Sequence, residues 1–122
     1  MIVGVGVDIV EVQRIERAVR RFGDRFLKRV FTEQEIAYSM SKVHPYQKLA
    51  ARFAAKEAAF KALGTGVTRW KEAETTIEPS GKPTLHLYGT AAERARSLGA
   101  ARTFISASDT AHHAVAIVVL EA

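Results

Sequence analysis

Cysteine is absent from the chain, which excludes disulfides and thiolate metal sites and removes any argument for an oxidising compartment. Only three prolines and eight glycines are spread over 122 residues, and no segment has the composition of a linker or a disordered tract. Long hydrophobic runs are missing as well. The longest late one, AVAIVVL, falls far short of the ~20 residues that cross a bilayer. The opening MIVGVGVD has no basic segment and meets an acid at Asp8, unlike a secretory leader. These absences predict a cytoplasmic protein, neither secreted nor inserted in a membrane.

What is present suits one soluble domain, residues 1–122, with 48% hydrophobic and 25% charged residues and enough length for a real core. The formal charge is +5, a balance that favours acidic partners: nucleic acid, an anionic cofactor or an acidic protein. Its distribution is uneven, because Arg14, Arg17, Arg20, Arg21, Arg25, Lys28 and Arg29 all fall in one short stretch.

Hydrophobic spacing divides the chain into elements. Residues 2–10, IVGVGVDIV, read as a mostly buried strand whose one charge is Asp8. Val12, Ile15, Val19 and Phe22 are spaced as on a helix that Gly23 punctuates, and DRFLKRVF continues as a short helical piece. Thr32 followed by Glu35 is a capping-box signature for another helix, to about Ser41. After His44 and Pro45 nothing breaks YQKLAARFAAKEAAFKALG until Gly64 supplies a C-cap. The second half changes character. ETTIEP and PTLHLYG flank the turn Ser80-Gly81-Lys82, TAAERARSLG is a short helix, and RTFISASDT and HHAVAIVVLEA are closing strands around a turn near Thr110. Strands and helices do not alternate regularly, so the fold class is α+β, a small antiparallel-rich sheet packed with one long helix and shorter ones.

The long helix carries the chemistry. At about 100° per residue, Leu49, Phe53, Phe60 and Leu63 form an apolar stripe that has Lys56 inside it. Ala50, Ala51, Ala54, Ala55, Ala58, Ala59 and Ala62 form a smooth second face, and Glu57 and Lys61 occupy the strip between. By themselves these two would be an i,i+4 pair on a solvated edge, contributing roughly 0.2–0.5 kcal/mol. Asp8 argues for more, since a carboxylate among apolar neighbours is seldom buried without a partner or a metal. Two carboxylates with lysines beside them suit a hard ion such as Mg²⁺ held against a phosphate.

Weaker signals are read as structural. Gly4-Val-Gly6 lacks the third glycine of a dinucleotide fingerprint, and Gly64-Thr65-Gly66 is more simply a helix stop than a phosphate cradle. His112 and His113 have no ligand partners at zinc spacing. Ser106 and Ser108 share a strand face without an evident base.

Three blocks taken together resemble a known family. Gly6-Val-Asp8-Ile-Val-Glu11 with Arg14, then Arg52-Phe-Ala-Ala-Lys56-Glu57-Ala58 with Lys61 and Gly64-Thr-Gly66, then Gly81-Lys82-Pro83, look like the holo-[acyl-carrier-protein] synthases, the short bacterial 4′-phosphopantetheinyl transferases. The resemblance spans nearly the whole chain. It implies a 4′-phosphopantetheinyl transferase fold and transfer of the phosphopantetheine arm of coenzyme A to a serine of apo acyl carrier protein, releasing adenosine 3′,5′-bisphosphate for fatty acid biosynthesis. By the same motifs Asp8 and Glu57 would be Mg²⁺ ligands, and these two with Lys61 the catalytic set. Arg52, Lys61, Gly64, Gly66, Gly81, Pro83, Asp109 and Thr110 would bind coenzyme A. Arg14, Arg21 and Arg25 would receive the acidic carrier protein, and the family implies a homotrimer with sites at subunit boundaries. One position departs: Asp109 stands where many relatives have a histidine after Ser-x-Ser, so either that contact is water-mediated or Thr110 and His112 take it over.

Two other classes compete. A basic nucleic-acid-binding domain would explain the charge but not Asp8 and Glu57, and exposed aromatic pairs on strands are not evident. A metal-dependent nucleotide pyrophosphate hydrolase would use the same carboxylates and lysines for water attack.

Overall fold

Alternation of glycine and valine in the first strand sets how the layers meet. The computed structural model describes residues 1–122. In it β1 (Ile2–Glu11) turns Gly4, Gly6, Asp8 and Val10 inward and Val5, Val7 and Ile9 outward, the two-residue period of a pleated strand. Four helices follow: α1 (Val12–Phe22), α2 (Asp24–Val30), α3 (Glu33–Met40) and α4 (Pro45–Leu63). A 3-10 turn at Trp70–Glu72 leads into β2 (Ala73–Ile77) and β3 (Pro83–Leu87), and then come α5 (Gly89–Ser97), β4 (Arg102–Asp109) and β5 (His113–Glu121). The strands form two antiparallel sheets, one of three strands in the order β1-β5-β4 and a separate hairpin β2-β3. The class is α+β.

Local chemistry accounts for the helix ends. The Thr32 side chain accepts from the Glu35 amide while the Glu35 carboxylate accepts from the Thr32 amide, so both halves of the capping box form at α3. Pro45 opens α4, where its missing N–H costs nothing, and Gly64 closes it in the left-handed conformation.

Helix α4 is the centre of the core. Leu49, Phe53, Phe60 and Leu63 are buried, and so are all seven alanines of the second face. That face rests on β1 and β5 of the same chain, so the chain's own sheet, not a neighbouring subunit, is what the alanines meet. The approach is close: a Cβ on Gly6 would lie 1.9 Å from the Ala58 carbonyl oxygen, and one on Gly4 2.2 Å from that of Ala62. Only glycine lets the helix backbone sit directly on the strand.

β1 differs from the buried strand that its composition predicts. Val5, Val7 and Ile9 are more than half exposed in the single chain. The register continues this face across the sheet, with Val5 opposite Val119, Val7 opposite Ile117 and Ile9 opposite Val115. On the far side of β5, Phe104 lies opposite Val119 and is itself exposed. Apolar residues on both faces of a strand look alike in sequence whether the second face meets solvent or protein.

Candidate active site

The seating of α4 on β1 brings Asp8, Glu57 and Lys61 together. The Lys61 ammonium donates to Asp8 Oδ1 at 3.0 Å and to the Val7 carbonyl at 3.0 Å. It makes no ion pair with Glu57, so the i,i+4 pair expected from spacing is replaced by one across to the strand. Glu57 is left half-buried beside Asp8. Burial raises the Glu57 pKa and the neighbouring Asp8 charge raises it further, with Arg14 and Lys61 pulling it back. No third His, Cys, Asp or Glu joins the two carboxylates into a metal-binding group. The protein thus offers two oxygen donors of like charge, a set that suits a hard divalent ion completing its shell with water and phosphate oxygens.

A second feature lies further back along α4. A cavity of about 130 Å³ is lined by Tyr38, Lys48, Arg52, Thr75, Pro83 and Asp109 among others, including Gly81. Arg52 is 6% exposed; its guanidinium lies 5.1 Å from the Tyr38 ring centroid, and its Nη1 donates to the Lys48 carbonyl at 3.1 Å. Burial pushes its pKa down, and Tyr38, Glu35 and Asp109 oppose that. Its Nε and the Thr75 hydroxyl, both buried, have no hydrogen-bond partner, although each residue lines this cavity. Buried polar atoms without a protein partner beside a cavity suit a polar ligand or ordered water there. Asp109 is paired with Lys48 at 3.2 Å on the rim.

The residues assigned to coenzyme A therefore divide in two. Arg52, Gly81, Pro83 and Asp109 line the cavity, whereas Lys61, Gly64 and Gly66 belong to the C-terminal end of α4. Thr110 follows Asp109, but its hydroxyl is used within the β4–β5 turn, accepting from the His112 and His113 amides. Tyr38, Lys48 and Thr75 were not singled out by motif. Lys48 alone had a legible signal, one helical turn before Arg52; Tyr38 and Thr75 arrive from α3 and β2 through tertiary packing.

The basic stretch folds over α1 and α2. The Arg14 guanidinium lies 5.4 Å from the Phe53 ring centroid and is close enough to act on Glu57. Arg21 and Arg25 both flank the exposed Phe22 ring, at 5.3 and 6.0 Å. Phe22, Arg25, Phe26 and Arg29 line a separate open cleft.

Comparison with known proteins decides among the classes. The family model of the 4′-phosphopantetheinyl transferase superfamily matches residues 4–118. The chain belongs to this family. Among relatives named holo-[acyl-carrier-protein] synthase, that of Koribacter versatilis is 51% identical and that of Solibacter usitatus 48% identical, each over 99% of both chains. The fold agrees. The Neisseria meningitidis holo-[acyl-carrier-protein] synthase superposes with a TM-score of 0.90 at 34% identity, over 100% of both chains. The Helicobacter pylori enzyme, solved in complex with coenzyme A, gives 0.84 at 31% identity over 96% of this chain and 99% of its own. A phosphopantetheinyl transferase is an enzyme, so a binding-only role for the basic surface is set aside. No helix is long and apolar enough to cross a membrane.

Proposed function

We propose that this transferase moves the 4′-phosphopantetheine arm of coenzyme A to a serine hydroxyl of an apo acyl carrier protein in the cytoplasm, the modification on which fatty acid biosynthesis depends. The observation that carries this reading is the Asp8–Lys61–Glu57 cluster at one end of α4 with the Arg52 cavity further back. Arg52 and Lys61 are nine positions apart on α4, about 13 Å of rise and about half a turn net, so they face opposite sides of the helix. In this reading the cavity of one subunit and the carboxylate–lysine cluster of the next would share one coenzyme A, as sites at subunit boundaries require.

In this reading the serine oxygen forms a bond to the β-phosphorus and the bond from that phosphorus to the bridging oxygen breaks. Adenosine 3′,5′-bisphosphate leaves with the electron pair of that bond, and the serine proton passes to a base, Glu57 or a water molecule. Asp8 and Glu57 would hold Mg²⁺, whose chemistry is that of a Lewis acid on pyrophosphate oxygens. Lys61, released from Asp8, supplies a positive charge where negative charge develops on the phosphates. Arg52, Gly81, Pro83 and Asp109 enclose the nucleotide end, and Gly64, Gly66 and Thr110 border the rest. Asp109 would act with Lys48 as a neutralised pair, so that its carboxylate does not repel the substrate phosphates.

Arg14, Arg21 and Arg25 would receive the acidic carrier. Arg14, beside Glu57, stands where the incoming serine must arrive, and Phe22 and Phe26 add an apolar slot between the arginines. The outer valine and isoleucine face of the three-stranded sheet supports association with further copies, because a contiguous apolar surface of this kind marks an interface; that the copies number three is what the family resemblance implies.

Mass spectrometry of an apo carrier protein incubated with this chain, coenzyme A and Mg²⁺ tests the reaction. A phosphopantetheine-sized gain on the carrier is expected. Nucleotide release with an unmodified carrier would instead establish hydrolysis.

A further inference from the structure

Lys56 sits fully buried inside an apolar stripe, and its position beside Glu57 does not explain it. Its ammonium pairs with Glu35 Oε1 at 2.7 Å, both side chains being inaccessible to solvent. It donates as well to the Ala73 carbonyl at 2.7 Å and to the Trp70 carbonyl at 3.1 Å. All three of its protons have acceptors, as a buried ammonium requires. Glu35 is as fully engaged. Oε1 also accepts from the Thr32 amide at 3.0 Å, and Oε2 accepts from the Thr75 amide at 2.9 Å.

The two backbone groups of β2 in this network share an edge. In the β2-β3 ladder Ala73 and Thr75 are two residues apart, so the Ala73 carbonyl and the Thr75 amide point the same way along the strand. They point away from β3, toward the side on which another strand would pair. No strand is there. The hairpin is a sheet of its own, and a two-stranded hairpin is marginal without packing. Its buried edge is satisfied by Lys56 on α4 and Glu35 on α3, which together accept and donate as a neighbouring strand would.

The same hairpin forms one wall of the Arg52 cavity through Thr75, Ile77, Gly81 and Pro83. Arg52, on the opposite wall, is one turn of α4 before Lys56. We infer that Glu35 and Lys56 are positioning residues for coenzyme A: the buried pair fixes the hairpin wall against α4 and so sets the width of the nucleotide cavity. The inference rests on the reading of that cavity as the nucleotide site.

Removing one partner leaves the other charge buried and alone, so Lys56→Met or Glu35→Leu by itself is expected to unfold much of the protein. The double variant Glu35→Leu/Lys56→Met removes both charges and takes their partners from the β2 edge, from the Trp70 carbonyl and from the Thr32 amide of the α3 capping box. It is expected to unfold cooperatively, to bind adenosine 3′,5′-bisphosphate in calorimetry about tenfold more weakly, and to raise KM for coenzyme A by a similar factor. Turnover at saturating coenzyme A and KM for the carrier should stay at wild-type values. Amide exchange should quicken across residues 73–87 and not in β1 or β5. If the double variant does not fold, Glu35→Asp, which keeps a charge for Lys56 but draws the carboxylate back from the Thr75 amide, should show the same pattern in smaller measure.

Wild-type bisphosphate affinity with wild-type exchange in the hairpin would overturn the inference, reducing the pair to a stability element. Failure of the wild-type protein to bind the bisphosphate would instead overturn the reading of the cavity, and unaltered hairpin exchange in the variant would then overturn the edge-pairing role too.

Discussion

Lys61 bonds to Asp8, fifty-three residues away in sequence, and not to Glu57, its neighbour one turn back on the same helix. The strand carboxylate is thereby held at the helix end by a lysine that a bound phosphate can draw away. With the Lys61 side chain 54% exposed, the bond itself contributes little to stability. Lys61→Met is expected to reduce turnover by about 10²–10³-fold while the thermal midpoint stays unchanged. Wild-type turnover in the carrier-modification assay would remove Lys61 from the catalytic set.

Glu57 and Asp8 repel each other when no cation lies between them. Because burial and the Asp8 charge raise the Glu57 pKa, its neutral form is favoured by folding. That contribution is fully present below the unfolded-state pKa and is lost as pH rises through the folded-state value. In chelator-treated protein at neutral pH, Glu57→Gln should therefore melt higher than wild type, and the difference should shrink as pH falls through the carboxylate range. The same variant should gain no stability from added Mg²⁺ and should not transfer the arm. A variant that melts lower than wild type under chelation would contradict the account of this pair.

Gly6 lets α4 approach β1, and a methyl group there would meet the Ala58 carbonyl oxygen. Gly6→Ala should force the helix outward, costing about 1–3 kcal/mol or more, and should separate Lys61 from Asp8. Calorimetry and turnover are expected to fall together. A stable, fully active Gly6→Ala protein would show that close contact of the backbones is not what assembles the cluster.

The Arg21 and Arg25 side chains flank Phe22 at the surface. Reversing both charges should raise KM for an acidic carrier about tenfold at low ionic strength and much less in high salt, because screening removes the attraction either way. KM for coenzyme A should not move. Equal carrier KM for both proteins at low salt would place the docking surface elsewhere.

The outer sheet face gives the prediction for assembly. Wild-type protein should scatter light as a trimer, and Val7→Lys should scatter as a monomer. If the protein were monomeric, Val7 would stay more than half exposed, and the change would be nearly silent, within about 0.5 kcal/mol.

Much of this protein is decided locally, and for that reason the sequence determines it. Helix α3 begins at Thr32 because the capping box needs only residues 32–35. Helix α4 runs between Pro45 and Gly64 because no breaker intervenes and both ends carry their own stop chemistry. The β2-β3 hairpin follows from two short strands about Gly81. Asp8, Glu57, Lys61 and Arg52 could be picked out by residue type, spacing and the resemblance of whole blocks.

What the sequence left open depends on pairings between distant segments. Lys56 was an unexplained charge in an apolar stripe because its partner, Glu35, lies on another helix and its remaining acceptors are backbone carbonyls, which have no side-chain signature. Gly4 and Gly6 gave no hint that they seat a helix, and the valines between them read as buried because pattern cannot tell a protein neighbour from water. Whether Lys61 would choose Glu57 or Asp8 was likewise undetermined by spacing. Tertiary structure decided it, because the glycine contact brings the strand carboxylate within hydrogen-bonding distance of the lysine while Glu57 is left facing the same small space.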